Sequence, residues 1–347
     1  MKLFYCLSFL LIVGCNSEKK KKAPGYFTSV EVETILEDSI SVRAIELMGT
    51  NLAFATNNGK YGMYNPSTKV WKTNTQEFDS ITPEFRAVAS TNSDFFMLSV
   101  GNPGLLFKTG DSGSMELVYK EENEKVFYDA MAFWNNNEGI AMGDPTDTCL
   151  SIIITRDGGK TWNKLSCENL PASVEGEAAF AASNSNIAIQ GDKTWILSGG
   201  IKSRVFYSPN KGKTWEVFET PIIQGEATTG GYSLDFYDEN NGFIIGGDYT
   251  NPEDNKSNKA VTKDGGKTWK LVAVGEEPGY KSSVRYVPGK NAEELVAIGF
   301  TGISYSKDGG NRWEKLSEEG FFTIRFLNDS TAYAAGKNRI AKLKFVR

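Results

Sequence analysis

A carboxylate recurs beside glycines at a fixed place in this chain, and such a carboxylate either binds a cation or accepts hydrogen bonds from a turn. The unit TRDGGKTW begins at Thr155 and is followed by SPNKGKTW from Ser208, TKDGGKTW from Thr262 and SKDGGNRW from Ser306. In the second copy Asn210 replaces the aspartate, which keeps the oxygen that a turn needs and loses the charge that a metal prefers. We therefore expect these residues to hold turns and strands, and we predict no metal site in them. The repeated positions are Asp157, Trp162, Asn210, Trp215, Asp264, Trp269, Asp308 and Trp313.

The composition excludes several kinds of catalysis. The chain has no histidine among its 347 residues, which excludes Ser-His-Asp and Cys-His nucleophile systems and the usual histidine-containing zinc and iron sites. It also has no glycine-rich dinucleotide turn and no haem or iron–sulfur ligand set. No cofactor is expected. Whether the loop at residues 248–254 binds a calcium ion is left undecided, because the spacing of its acidic residues matches no fixed cation motif.

Two cysteines bracket the first clear copy of the repeated unit. Cys149 and Cys167 lie at equal distances along the chain from Gly158, which is at the turn between them. Cysteines that face each other on paired strands can be within bridging distance, and an exported protein meets an oxidising environment. The spacing favours a disulfide, with two buried free thiols as the alternative.

The N-terminal residues read as an export signal with a lipid attachment site. Lys2 precedes an apolar run of about 11 residues, which is far short of the roughly 20 needed to span a membrane. The run ends in Ile-Val-Gly-Cys, which resembles a bacterial lipobox with Cys15 as the lipidated residue. We expect a signal peptide at residues 1–14, a lipidated cysteine and flexible tether at 15–25, and a folded part at 26–347. The protein would then be anchored in the bacterial cell envelope, either periplasmic or surface-exposed, whereas an ordinary secreted protein is the alternative.

The charge balance bears on the partners of the chain. The formal net charge is −5, and an acidic protein is a poor match for nucleic acid. The expected partners are therefore the membrane, through the lipid, and an envelope protein or a polar ligand. We expect the chain itself to be a monomer.

Internal repeats predict the architecture. Degenerate copies, TGDSGSME from Thr109 and YNPSTKVW from Tyr64, extend the series to six units, and each unit carries four short strand-like segments separated by Gly and Asn turns. This order of strands and turns is typical of β-propeller blades. A seventh unit at the C terminus lacks a fourth strand, which the segment YFTSVEVE near the N terminus can supply. The prediction is an all-β fold, a single seven-bladed β-propeller closed by the N- and C-terminal strands.

The eight-residue unit resembles the Asp box, or BNR repeat, of sialidases, sortilin-type receptors and photosystem II stability/assembly factors. The segments FYDAMAFWNNNEGIAMGDP and EGEAAFAASNSNIAIQG look more like a set of bacterial single-propeller exported proteins, often labelled assembly-factor-like or "oxidoreductase". The resemblance covers residues 26–347. It implies the propeller fold and says little about function, because one fold serves many activities.

A candidate binding site follows from the blade alignment. The repeated turns lie on one rim of the ring, so the inner strands begin on the other rim, around a funnel. The chemically active residues assigned to that mouth are the starts of the inner strands, Arg43, Arg86, Asp129, Glu177 and Tyr232, and the ends of the second strands, Asp144, Asp192 and Asp248. Arginines beside carboxylates and a tyrosine make a polar ligand site. The alternative is a set of ion pairs that fills a solvated channel.

Two functions are compatible with these residues. The first is a non-enzymatic, envelope-anchored scaffold that holds a protein partner or a polar ligand at the funnel. The second is a sialidase-type glycoside hydrolase, with Arg43 and Arg86 binding a substrate carboxylate and Tyr232 with Glu177 as nucleophile pair. The Arg-Ile-Pro signature of sialidases is absent from the N-terminal part, and the carboxylate separation that such chemistry requires cannot be read from sequence. We therefore prefer the scaffold.

Overall fold

The structure is a computed structural model, and it describes residue 1, residues 25–110 and residues 114–347. The predicted signal peptide, Cys15 and nearly all of the tether lie outside the described residues. Strands dominate the described part, in which the only helix is a single 3₁₀ turn at Cys167–Asn169. The strands form seven antiparallel sheets, which are the seven blades of the predicted propeller.

The first strand closes the ring, and the first three blades follow it in chain order. In each blade the strands run from the channel to the outside. These strands are β1 (Ser29–Ser41); β2 (Ala44–Met48), β3 (Asn51–Ala55), β4 (Lys60–Asn65) and β5 (Val70–Thr75) in blade one; β6 (Phe85–Ser90), β7 (Phe95–Ser99), β8 (Gly104–Thr109) and β9 (Met115–Glu121) in blade two; and β10 (Tyr128–Phe133), β11 (Gly139–Gly143), β12 (Ser151–Thr155) and β13 (Asn163–Lys164) in blade three.

Blades four and five are interleaved at one point. The strands of blade four are β15 (Ile187–Gln190), β16 (Lys193–Leu197), β18 (Arg204–Ser208) and β19 (Glu216–Glu219). Two short strands, β14 (Glu177–Ala178) and β17 (Gly199–Gly200), instead join β20 (Thr229–Phe236), β21 (Gly242–Asp248), β22 (Lys259–Thr262) and β23 (Lys270–Leu271) of blade five. The result is a six-stranded sheet with β14 at its edge.

The last two blades complete the ring. Their strands are β24 (Ser283–Tyr286), β25 (Leu295–Gly299), β26 (Gly302–Ser306) and β27 (Glu314–Ser317) in blade six, and β28 (Thr323–Phe326), β29 (Thr331–Ala335) and β30 (Lys337–Val346) in blade seven. The outer strand of blade seven is β1, which pairs antiparallel with β30 from Ser29 opposite Val346 to Ser41 opposite Lys337. The predicted closure by both chain ends is confirmed, and it pairs the outer edge of β30, which would otherwise be open.

In blade four the observed strands are shifted by one strand from the alignment made from the sequence. EAAFAA was expected to be its inner strand and NIAIQ its second strand, but Ile187–Gln190 is the inner strand and Lys193–Leu197 the second. Gly191, with φ of +59°, and Asp192 form the tight turn between them, because a two-residue turn that contains Gly suits a hairpin. Asp192 therefore lies on the rim of the repeated turns. Its carbonyl accepts from the Lys211 amide, just as the Asn137 carbonyl accepts from Gly158 in blade three.

The core lies between neighbouring blades. Trp162 of blade three packs edge-on against Phe133, at 5.8 Å between ring centroids, and reaches Phe96 of blade two. Trp313 of blade six similarly contacts Phe243 of blade five. Each such tryptophan removes a large apolar surface from water at a junction between sheets, so the repeated tryptophans join successive blades.

The predicted disulfide is present. Cys149 and Cys167 are bonded, with their Cα atoms 5.5 Å apart. Cys149 begins the chain into β12, and Cys167 follows β13, so the bond joins the chain on both sides of the third and fourth strands of blade three.

Candidate functional site

The repeated turns form one rim of the ring, which we call the box rim (residues 155–162, 208–215, 262–269 and 306–313); the opposite edge is the funnel rim. In the first turn, Thr161 donates to Asp157 from its amide (3.0 Å) and its hydroxyl (2.7 Å), and the Gly159 amide donates to the Thr155 hydroxyl. Corresponding bonds from the turn amides recur around Asn210, Asp264 and Asp308. The hydrogen-bonding groups of these side chains are therefore used within their own turns.

Residues 181–186, which we call the plug, cross the central channel. The plug is a run of small residues, Ala-Ala-Ser-Asn-Ser-Asn. Ser183 donates to the Ser282 carbonyl of blade six (2.6 Å), and its own carbonyl accepts from Thr323 of blade seven (2.9 Å). Only small side chains fit where seven inner strands converge, and their polar groups satisfy backbone atoms that face the channel. The ring is therefore not an open tunnel.

Asn184 fixes the plug to the opposite side of the ring. Its side chain donates to the Val88 carbonyl of blade two (2.7 Å) and accepts from the Met131 amide of blade three (2.9 Å). Its φ is +54°, a backbone region that asparagine tolerates better than most residues. Arg325 of blade seven donates to its carbonyl at 3.0 Å. The channel is thus divided into two separate cavities.

The cavity on the funnel side has a volume of about 490 Å³, within the range of ligand pockets. Its floor is the segment at positions 178–182, in which four alanines flank Phe180. Blades four to seven, with the connection into blade four, supply an aromatic half, and blades one to three supply a charged half that also includes Phe127. The aromatic half comprises Phe180, Tyr232, Tyr249, Tyr280, Phe300 and Phe322, and the charged half comprises Arg43, Arg86 and Asp144.

The aromatic half is a rigid wall. Phe180 and Tyr232 stack with ring centroids 3.8 Å apart, and Tyr280 meets Tyr232 edge-on at 4.8 Å. The Tyr232 hydroxyl donates to the Thr228 carbonyl (2.7 Å), and burial raises the pKa of Tyr232 above its usual value. Phe300 extends this wall to the surface at 5.3 Å from Tyr280. The wall presents packed ring faces and edges, which suit an apolar group.

The two arginines differ in how they are held. Arg86 is paired with Glu84 at 2.6 Å. Arg43 lies over the Phe322 ring at 4.3 Å, and among the described residues it has no carboxylate within 4.0 Å. Burial, followed by the charge of Arg86, lowers the pKa of Arg43. Arg43 is therefore the less compensated cation of the cavity.

Asp129 lies below the cavity rather than at its mouth, which corrects the sequence expectation. A bulge in the pairing between Tyr128 and Ala130 accompanies this position. Asp129 is fully buried, and neither carboxylate oxygen has a side-chain hydrogen-bond partner among the described residues, while the nearby Ala181 backbone and Arg86 favour its charged form. Burial, with the neighbouring Asp144, raises its pKa well above the usual range. A neutral acid is therefore expected there at pH 7.

Asp144 does line the cavity, as expected. Its carboxylate accepts from the Ala179 amide at 2.7 Å, which ties it to the segment that leads into the plug. Burial raises the pKa of Asp144 to about 6. Asp144 therefore changes charge near neutral pH.

Glu177 also departs from the expectation of a group at the funnel mouth. Its carboxylate is buried and accepts from Arg204 through both oxygens, from the Ser198 hydroxyl (2.6 Å) and from the Val174 amide (2.9 Å). The physical reason is the shifted strand of blade four, because Glu177 belongs to the edge strand β14 and not to an inner strand. Since Tyr232 is bonded to a backbone carbonyl, the proposed Tyr–Glu nucleophile pair does not form.

Asp248 is on the expected rim but outside the cavity. It ends β21 and accepts from the amide and the hydroxyl of Thr250, whereas the next residue, Tyr249, lines the cavity. Asp192, as described above, is on the other rim and is exposed. Of the eight residues expected around the funnel, the structure brings Arg43, Arg86, Asp144 and Tyr232 together.

Sequence reasoning missed the apolar character of the funnel rim. Ten large hydrophobic residues are exposed in the described part of the chain, and six of them lie in loops of this rim. Five of the six belong to the loops between blades three and six. The six residues are Ile81, Val174, Ile201, Tyr249, Val274 and Phe300. An apolar concentration of this kind on one face marks an interaction surface.

A groove leads away from the cavity toward the outer side of blade three. It has a volume of about 700 Å³ and shares Asp144 and Ala178 with the funnel cavity. Its walls are residues 144–148 and residues 172–178. A further depression beside the disulfide shares Asp147 with the groove. Cavity, groove and depression therefore adjoin one another across the funnel face.

The second cavity lies on the box side of the plug and was also missed. It has a volume of about 290 Å³ and contains Arg285, Arg325 and Glu46 beside Asn184. Arg285 pairs with Asp235 at 3.2 Å, and burial lowers the pKa of Arg325 to about 10. These charges are largely matched within the ring, which fits a structural role at this end of the channel.

The described residues contain no group of three or more Cys, Asp or Glu side chains placed to hold a metal ion. Within the same residues, none of the helices has the length and apolar character needed to cross a bilayer.

The fold and this face together define a seven-bladed β-propeller with a plugged channel and a binding cavity on one side. Residues 150–277 match the family model described as "Sortilin, neurotensin receptor 3". No curated protein matches the chain.

Similar solved structures cover nearly the whole chain. "YCF48 bound to D1 peptide" has a TM-score of 0.66 at 14% identity, over 93% of this chain and 97% of that one. "YCF48 from Cyanidioschyzon merolae" has a TM-score of 0.62 at 12% identity, over 92% and 98%. The WD40 repeats of RRP9 reach 0.64 at 9% identity, over 92% and 100%. At these identities the likeness shows the fold alone.

Proposed function

We propose that this protein is a non-enzymatic binding scaffold that holds a segment of another protein at its funnel face. The observation that carries the proposal is the concentration of exposed apolar residues on the funnel rim beside a closed-floor aromatic cavity. Val174, Ile201, Tyr249, Val274 and Phe300 are each more than two-fifths exposed on that face. Water contact with so many large apolar groups is unfavourable, and a docked partner would remove it.

The shape of the cavity supports a protein partner. It holds the volume of one or two large side chains, and the apolar residues outside it form a wider surface. Buried aromatic anchors surrounded by other contacts are typical of protein interfaces. A similar propeller has been solved with a bound peptide, which agrees with a peptide segment as the ligand.

The geometry gives no support to hydrolysis as the function. The candidate carboxylate Glu177 is bonded to Arg204, and Asp129 is buried without contact to the cavity. Among the described residues, Asp144 is left as the only carboxyl that lines the cavity, whereas glycoside hydrolysis uses two.

Membrane attachment through Cys15 is part of the proposal. Tyr26 lies on the box rim, where the ammonium group of Lys307 is 5.6 Å from its ring and where it shares a depression with Asp308. The described part of the chain therefore begins on the box side of the ring. A lipid at Cys15 would place that side toward the membrane, so the funnel would face away from it, open to a partner.

Photo-crosslinking in cells tests the proposal. A photoreactive amino acid at Phe300 or Tyr249 should give discrete adducts with one or a few proteins. The same residue at Val70 or Leu117, which are exposed apolar positions outside the funnel rim, is the matched control. Adducts at all four positions alike, or none at the funnel positions, would contradict the proposal.

A further inference from the structure

The groove beside the funnel cavity indicates the chemistry of the partner segment, if the proposed function holds. Its walls meet at a hydrogen bond from the Ser173 amide to the Thr148 carbonyl (2.8 Å). One wall leads into Cys149, and the other follows Cys167, so the disulfide fixes both walls to one another. A groove that is already held in shape loses little entropy when a ligand binds.

One wall of the groove includes a sheet edge. Glu177–Ala178 is the edge strand β14 of the six-stranded sheet, with Gly199–Gly200 as its neighbour on one side only. Residues 172–178 line the groove along this edge. The amides of Glu177 and Ala179 on this edge are already bonded to the Val174 carbonyl and to Asp144. A long, narrow groove of this kind suits an extended chain that is held mainly by its side chains.

The groove carries uncompensated negative charge. Glu177 is neutralised by Arg204, and at the outer end Glu121 is neutralised by Lys164. Asp147 and Glu175 are exposed, and neither has an ion-pair partner among the described residues. Asp144 adds a third carboxyl at the inner end, and Lys125 is the single opposing cation that lines the groove in the described part of the chain.

The cavity at the inner end of the groove lacks this excess of negative charge. Arg86 is paired with Glu84, and Arg43 has no carboxylate partner among the described residues, so a cationic side chain is disfavoured there while an apolar one is accepted by the aromatic wall. The path across the funnel face therefore changes from apolar and positive at the centre to polar and negative toward blade three.

We propose that the partner segment is an extended peptide with a large apolar or aromatic side chain that enters the funnel cavity. Lysine or arginine residues on one side of it lie along the acidic groove. The charge gradient fixes the direction in which the peptide lies.

Designed peptides test this inference on the full-length, detergent-solubilised protein. The probe is a fluorescein-labelled, acetylated and amidated peptide with one phenylalanine and three lysines spaced by glycine on one side, made in both chain directions. Matched peptides carry glutamate for lysine or serine for phenylalanine. Fluorescence anisotropy at low and high salt gives the dissociation constants.

One direction of the lysine peptide should bind at least about tenfold more tightly than its glutamate counterpart and should weaken with salt. Glu175→Lys and Asp147→Lys should each reduce that affinity severalfold. Glu216→Lys, an exposed change near the box rim, is the control and should leave it unchanged. The serine peptide should also bind more weakly, because it lacks the group for the cavity.

Three results would overturn the inference: equal binding of lysine and glutamate peptides, equal loss with Glu216→Lys, or no binding of any phenylalanine peptide at millimolar concentration. The proposed function has a separate test, because adducts at Phe300 do not depend on a basic segment. Adducts at Phe300 together with a preference for glutamate peptides would therefore refute the inference and leave the scaffold function standing.

Discussion

Phe180 and Tyr232 stack face to face, with ring centroids 3.8 Å apart and ring planes within 4° of parallel. Phe180 belongs to the segment that leads into the plug, and Tyr232 lies in the inner strand of blade five. The contact therefore couples the floor of the funnel cavity to its aromatic wall. A ligand in the cavity would touch a surface whose two parts hold one another in place.

Phe180→Ala should remove this coupling. Because Phe180 is only half-buried, the free energy of unfolding should fall by about 2–3 kcal/mol, less than for a fully buried phenylalanine. Affinity for a phenylalanine peptide should fall as well. Urea denaturation and fluorescence anisotropy check the two effects. Unchanged affinity in a folded variant would show that the ring is not part of the binding wall.

Asn184→Ala tests the plug. The change leaves the Val88 carbonyl and the Met131 amide without the side-chain partner that holds them, so we expect a loss of about 2–4 kcal/mol in the free energy of unfolding. Asn65→Ala, at an exposed turn where Asn65 accepts from two amides, is the control and should cost less than half as much. Equal losses, measured by urea denaturation, would contradict a special role for Asn184.

The sequence predicted the parts of the fold that repeat. Blade number, ring closure and the turn residues follow from a periodic pattern of Gly, Asp and Trp. Because the same residue types recur in every unit, a clear unit helps to align a degenerate one. Blade four broke that pattern, since EAAFAA and NIAIQ both read as strands. The Gly191–Asp192 turn between two apolar runs was the signal that could have separated them.

The candidate site was predicted only in part, because its missed features are non-local. The ion pair of Glu177 with Arg204 joins residues 27 positions apart, and no local spacing indicates it. The plug consists of small polar residues without helical or strand periodicity. Its role is visible only when seven inner strands surround it.

Asp264→Asn should change stability little. Asn210 already forms the same turn in blade four, where its side chain accepts from the Thr214 amide at 2.9 Å, as Asp264 does from Thr268 at 3.0 Å. We expect a loss below about 1 kcal/mol. Thermal or urea unfolding measures it. A loss of ligand affinity with stability intact would show that the repeated turns bind ligand after all.

The buried acids should make stability depend on pH. Between its unfolded and folded pKa values, a carboxyl with a raised pKa holds a proton in the folded chain that it has released in the unfolded chain. The free energy of unfolding therefore falls as the pH rises. For Asp144 this fall extends from about pH 4 to about pH 6, and for Asp129 it extends to higher pH. Asp129→Asn should remove much of this decline, so the variant should gain on the wild type between pH 4.5 and pH 7.5.

Urea denaturation at both pH values checks the sign. Asp264→Asn is the control, because the pKa of Asp264 is lowered and its contribution is lost only as pH falls below about 4. An Asp129→Asn variant that loses stability relative to the wild type as pH rises would mean that Asp129 is ionised in the folded protein.

Hydrogen–deuterium exchange on the complex with a crosslinked partner tests the binding face most directly. The account predicts slower exchange in residues 172–182, around Tyr249 and around Phe300 when the partner segment is bound, with unchanged exchange in the four turns of the box rim. Protection of the box turns, with no change at the funnel rim, would contradict it.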